Sequence, residues 1–180
     1  MATQALDKPH HARKRRSMLV WLMAQYSRRR YGAVLTPIQE LYSKAPWLAG
    51  FALKIWRRSN RLSLSELEVQ QVFRRVAQLD ECAFCEDLHR AEEQRLQGVE
   101  EADALAQWRS WESLSARSSA MLDYVEQCVL MGHPEPECAA TAEHVLGSQT
   151  RLELTWLIAV AKYYSVLGRA YGFESQGLSA

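Results

Sequence analysis

Apolar residues recur at intervals of three and four along most of this chain. Leu67, Val69, Val72, Phe73, Val76 and Leu79 form such a series, the spacing that places side chains on one face of a helix. Ser65 and Glu68 precede it at capping-box spacing, so a helix is expected to start there. The series breaks at Asp80-Glu81, restarts at Cys82 and ends at Gly98. Upstream, a helix is expected from Ser17 to about Tyr31, with Gly32 as its stop. "TPIQELYSK" (36–44) carries a Thr cap, Pro at the first helical position and Gln39 at the capping-box position. Pro46 opens a further apolar helix to about Arg58. Downstream, helices are expected near 100–109, from about Glu112 to Met131, near 136–146, and from Ser148 or Thr150 to about Tyr171.

No segment alternates polar and apolar residues over strand length. The fold class is therefore all-α, a compact multi-helix domain from 17 to 180. A basic disordered tail is expected at 1–16, followed by a basic helical extension. Eight Gly and five Pro in 180 residues suit short connections between helices.

Net charge changes the picture at the N-terminus. The total is +1, yet residues 1–61 hold 13 Lys and Arg against 2 Asp and Glu, whereas residues 62–180 hold 9 against 19. The two segments, +11 and −10, suit mutual attraction within or between subunits. Together with the apolar helices near 17–31 and 46–58, this predicts a homo-oligomer. A basic arm can also meet an anionic partner. No nucleic-acid motif accompanies it, so no nucleic-acid partner is expected. The apolar run "SMLVWLMAQY" (17–26) is shorter than the ~20 residues of a bilayer span. "RRSMLVW" suggests a twin-arginine signal, but "SRRR" follows the apolar run instead of a small-residue cleavage site. The expected location is the cytoplasm.

The candidate chemistry lies in "LDECAFCEDLH" (79–89). If Cys82 opens a helix, Cys85 stands one turn on and His89 one turn beyond, all on one face. Free backbone N–H groups and the helix dipole favour thiolate at the first cysteine. A neutral imidazole one turn away can take a thiol proton. The two sulfurs are near enough to close a disulfide. Glu86 and Asp87 add negative charge beside Cys85, which opposes thiolate formation if they are close. Two other readings of the trio stay open. One is a zinc site completed by Cys128, His133, Cys138 or His144. The other is a pair of buried structural thiols. Trp108, Trp111 and Trp156 can line a pocket or fill the core. Cys128 and Cys138 stand outside the motif.

"VFRRVAQLDECAFCEDLHRAEEQRLQGV" resembles the alkylhydroperoxidase D-like branch of the carboxymuconolactone decarboxylase family. "LTWLIAVAKYYSVLGRAYG" (154–172) is similar to that family's last core helix, with Tyr163, Tyr164 and Arg169 as its aromatic pair and closing arginine. The resemblance covers roughly residues 63–172. It implies an all-helical oligomer and a peroxidase or thiol–disulfide oxidoreductase acting without cofactor or metal. It implies that Cys85 attacks a hydroperoxide or disulfide substrate, that Cys82 resolves it, and that His89 relays the proton. The reductant would be a dithiol, lipoyl-bearing or thioredoxin-like. The family's glutamate, twelve positions before the first cysteine, is replaced by Gln70, which can hold the ring but cannot take a proton. Phe84 stands where some members carry a second histidine.

Overall fold

Ser65 and Glu68 form the reciprocal cap their spacing implies. Ser65 Oγ accepts from the Glu68 N–H at 3.2 Å, and Glu68 Oε2 accepts from the Ser65 N–H at 2.7 Å. Two orphan amides at the helix start are thereby satisfied. The computed structural model describes residues 10–110 and 114–179. Among these there are helices and connections and no strand.

Two compact units divide the chain, one ending at Arg57 and the other beginning at Arg58. In the first, α1 spans His10–Tyr31, so it begins inside the stretch expected as a tail. Ser27, fully buried near its end, donates to Ala33 O at 2.6 Å and accepts from the Leu35 N–H at 2.9 Å. This closes the turn that Gly32 begins at φ +74°. The 36–44 segment winds wider than expected, as a π-helix over Ile38–Tyr42. Gln39 turns its side chain to Val34 O at 2.8 Å. Ile38, Leu41 and Tyr42 are buried there. α2, Pro46–Ser59, buries Ala49, Ala52 and Ile55 and exposes Trp47, Phe51 and Trp56.

The second unit is organised around α3, Glu66–Leu79, which packs on α4 (Ala83–Gln97), α6 (Ala116–Leu130) and α8 (Ser148–Ala170). Its apolar series supplies the centre: Val69, Val72, Phe73, Val76 and Ala77 are buried. The single helix expected near 100–109 is α5, Val99–Ala104, followed by a 3-10 turn over Leu105–Ser110. Ser115 caps α6, accepting from the Ser118 N–H at 3.0 Å. α7, Pro136–Leu146, has Pro at its first position, where the missing N–H costs nothing.

Buried carboxylates tie these helices together. Glu126 of α6 accepts from Trp108 Nε1 at 2.7 Å, from Arg109 at 2.6 Å and from Arg75 of α3. Glu153 of α8 accepts from the Ser63 N–H at 2.7 Å and from Gln149 at 2.9 Å. Burial pushes the Glu126 carboxyl up, but the Trp108 and arginine donors outweigh it and hold it below its ordinary range. Trp108 thus serves as a buried strut between elements and not as a pocket wall, with the Arg109 guanidinium 4.3 Å above its ring. Trp156 is half-buried on α8. Trp111 lies outside the described residues. No described helix is long and apolar enough to cross a membrane.

Candidate active site

The site is built at the joint between α3 and α4. α3 ends with Glu81 in the left-handed region at φ +55°. The Cys82 N–H donates back to Ala77 O at 2.9 Å, the 6→1 bond of a Schellman-type cap. Cys82 is also the N-cap of α4. Its own N–H is therefore used by α3.

Cys82 and Cys85 are joined by a disulfide, with Cα atoms 5.3 Å apart. Both residues are buried. α8 makes room for them at one position. A Cβ added to Gly168 would stand 2.8 Å from Cys82 Sγ and 3.5 Å from Cys85 Sγ. The sulfur pair rests on bare backbone.

His89 follows Cys85 by one turn on the same side of α4. Its Nδ1–H donates to Gln70 Oε1 at 2.8 Å. The ring stacks on Phe73, with centroids 4.7 Å apart and planes 9° from parallel, and Phe73 in turn meets Tyr164 of α8 at 6.3 Å. Gln70 and His89 are thus hydrogen-bonded partners across α3 and α4. With the proton on Nδ1, Nε2 keeps its lone pair and is the basic atom. Burial disfavours the imidazolium and lowers the His89 pKa to about 4, against a smaller upward pull from the Glu92 charge. The ring is neutral at neutral pH and a weak base.

The acidic neighbours each have partners of their own. Asp87 is bound by donors from the segment after α8. Glu86 accepts from Gln78 at 3.0 Å and lies 3.9 Å from Arg74 Nε. Glu68, two residues before Gln70, is held by Ser65 and by Arg117 at 2.6 Å. Deeper along α4, fully buried Glu93 pairs through Oε2 with Arg74 Nη1 at 3.0 Å. Its Oε1 has no hydrogen-bond partner. Burial raises this carboxyl to about 7, although Arg74 pulls it down.

Cys128 and Cys138 are free thiols. Among the described residues, no group of three or more His, Cys, Asp and Glu side chains is placed to hold a metal ion. Gly168, Phe73 and Glu93 were missed by the sequence reading. Only Gly168 carried a usable signal, a glycine inside an apolar helix, where it costs roughly 1 kcal/mol relative to alanine unless something comes close.

A solved structure from Agrobacterium tumefaciens superposes on this chain with a TM-score of 0.65 at 18% identity, covering 76% of this chain and 95% of that one. It is described as a protein of unknown function suggested to be the antioxidant defence protein AhpD. The fold is AhpD-like. No protein-family model matches the chain, and no curated protein does. The disulfide lies at the joint of α3 and α4, Gln70 of α3 and His89 of α4 meet beyond it, and Gly168 of α8 closes on the sulfurs.

Proposed function

We propose that this protein is a cysteine-pair redox enzyme, a peroxidase or thiol–disulfide oxidoreductase. The observation that carries the reading is the Cys82–Cys85 disulfide one turn from His89, whose ring is held by Gln70 through Nδ1. In the reduced enzyme, His89 Nε2 takes the Cys85 proton, directly or through water. The Cys85 thiolate attacks the terminal oxygen of a hydroperoxide. The O–O bond breaks, the alcohol leaves with a proton, and Cys85 becomes a sulfenic acid. The Cys82 thiolate then attacks the Cys85 sulfur, water departs, and the disulfide forms. A dithiol, lipoyl-bearing or thioredoxin-like, restores both thiols by exchange and becomes a disulfide itself. With a disulfide substrate, Cys85 attacks one sulfur, releasing a thiol and forming a mixed disulfide; Cys82 then attacks the Cys85 sulfur, the second thiol leaves, and the Cys82–Cys85 disulfide closes.

Gln70 sets the pace. It fixes the ring and the tautomer but brings no charge to the imidazolium, so peroxide reduction is slow and thiol–disulfide exchange is the easier reaction. Thiol counting tests the reading. Mild peroxide should remove two thiols per chain reversibly, and a dithiol should sustain turnover. Loss of two thiols without turnover would sink the enzyme and favour a second reading, a redox-sensing or binding protein on the same fold. The basic first third, with Trp21 and Tyr26 exposed on α1, supports that alternative through an anionic partner. The same features support homo-oligomer formation, which light scattering at low and high salt would detect.

A further inference from the structure

The first turns of α4 are gripped from two sides. At about 100° per residue, Cys85 and His89 lie on one side of the helix and Phe84 and Asp87 on the other. On the sulfur side stands Gly168 of α8. On the opposite side runs the chain that follows α8. Gly172, at φ +60°, turns it, and the Phe173 N–H donates to Gly168 O at 2.8 Å. The segment is thus anchored on the residue that seats the disulfide. The buried rings of Phe173 and Phe84 then meet edge-on, with centroids 6.1 Å apart.

Beyond Phe173 the segment closes on Asp87. Ser175 Oγ donates to Oδ2 at 2.9 Å, the Gln176 N–H at 2.8 Å and the Leu178 N–H at 3.0 Å. Oδ1 accepts from the Ser179 N–H at 3.0 Å and from Ser179 Oγ at 2.8 Å. Five donors from four residues, Ser175, Gln176, Leu178 and Ser179, converge on one carboxylate. Three are backbone amides, as in an anion-binding nest. Burial raises the Asp87 carboxyl, but these donors outweigh it and keep it ionised.

We propose that residues 173–179 form a redox-coupled strap, with Asp87 as a positioning residue of the cysteine pair. The proposal deepens the redox reading, since it assumes that the disulfide opens and closes in use. When a dithiol reduces the pair, the Cys82–Cys85 bond breaks. Two electrons and two protons arrive at the sulfurs, and the reductant becomes a cyclic disulfide. The sulfurs then part from bonded to non-bonded contact. Gly168 already lies against them, so the start of α4 must move away from α8, toward the side the strap holds. Phe84 and Asp87 move with it, and the five-donor closure loosens. Coupling of this kind is reciprocal: whatever loosens the strap must weaken the disulfide by the same factor.

The experiment is hydrogen exchange at the Gln176, Leu178 and Ser179 amides, in the oxidised protein and after reduction with dithiothreitol, with the thiol state checked by alkylation. Exchange should quicken about tenfold or more on reduction. Asp87→Asn should exchange fast in both states. Its thiol–disulfide equilibrium with dithiothreitol should move toward the dithiol by a similar factor. Equal exchange in both states of the wild-type protein, with the disulfide shown to open, overturns the proposal. So does an unshifted equilibrium in a folded Asp87→Asn protein. If that variant does not fold, the wild-type comparison decides alone. A coupled strap in a protein that never turns over hydroperoxide or disulfide would leave the strap standing and remove the enzyme.

Discussion

The second unit holds two pairs of cysteines in opposite circumstances. Cys82 and Cys85 share one helical turn, and Cys85 has a neutral imidazole on the next. Cys128 and Cys138 sit on the packed helices α6 and α7. There, burial raises the Cys138 thiol to about 12, with Asp123, Cys128 and Glu135 adding to the effect. Burial raises Cys128 as well, and the Tyr124 hydroxyl offsets only part of it. The contrast lies in the groups that surround each pair. Beside Cys82 and Cys85, Glu86 accepts from Gln78, Asp87 accepts from residues 175–179, and His89 stands one turn beyond Cys85. Cys138 has Asp123 beside it, which opposes thiolate.

The sharpest way to break this comparison is to remove sulfurs. Cys85→Ser should abolish peroxide-driven oxidation at the motif. Replacing Cys128 and Cys138 by serine together should leave its rate within about twofold. Peptide-resolved alkylation reads both variants, and comparable losses would erase the distinction. Next is Gly168→Ala. The added methyl meets Cys82 Sγ at 2.8 Å, and overpacking of this kind costs about 1–3 kcal/mol. Disulfide formation should fall by tenfold or more, and the oxidised protein should melt earlier than the wild type. Normal oxidation in this variant would show that α8 does not seat the sulfurs.

Gln70→Glu addresses the basic side. A carboxylate on His89 Nδ1 should speed single-turnover oxidation of Cys85 by tenfold for each ~1.4 kcal/mol of added transition-state stabilisation. An unchanged rate in a folded variant would take position 70 out of the proton relay. The smallest effect concerns pH. His89 titrates lower in the folded state, so its stability is complete above about 6.5 and is lost as pH falls toward about 4. Glu93 titrates higher, so its stability is complete below about 4.5 and is lost as pH rises toward about 7. The two oppose each other between these limits. Glu93→Gln should therefore lose stability on acidification from pH 6.5 to 5 more steeply than the wild type, by at most ~1.4 kcal/mol per pH unit. Parallel melting curves would mean that Glu93 is ionised throughout that range.

Much of the second unit was legible because its signals are local. The α3 apolar series, the Ser65–Glu68 cap and the cysteine–histidine spacing each sit within a few turns, where period and capping chemistry act. The partnership of Gln70 and His89 was also reachable, through the resemblance. What could not be read depends on distant segments. Asp87 looked like a charge beside the thiol because its donors lie about ninety positions away. Glu92 and Glu93 sit in a run, "HRAEEQR", that resembles a solvated face, yet both are buried. The Thr36–Gln39 spacing pointed to a capping box. The segment instead forms a π-helix, and Gln39 serves Val34 O.

Cys82 is at once the closing residue of one helix and the opening residue of the next. The two helices have no spacer between them, so no length of chain there can vary without moving a sulfur. A residue inserted between Leu79 and Ala83 would advance every later side chain of α4 by about 100°, and would carry Cys85 and His89 off the face that meets Gly168 and Gln70. Over this stretch, lineages descended from a common ancestor should differ by substitution but not by length. A designer grafting the pair onto another helical hairpin would have to transplant the joint whole, with its left-handed residue at position 81 and its Ala77 carbonyl.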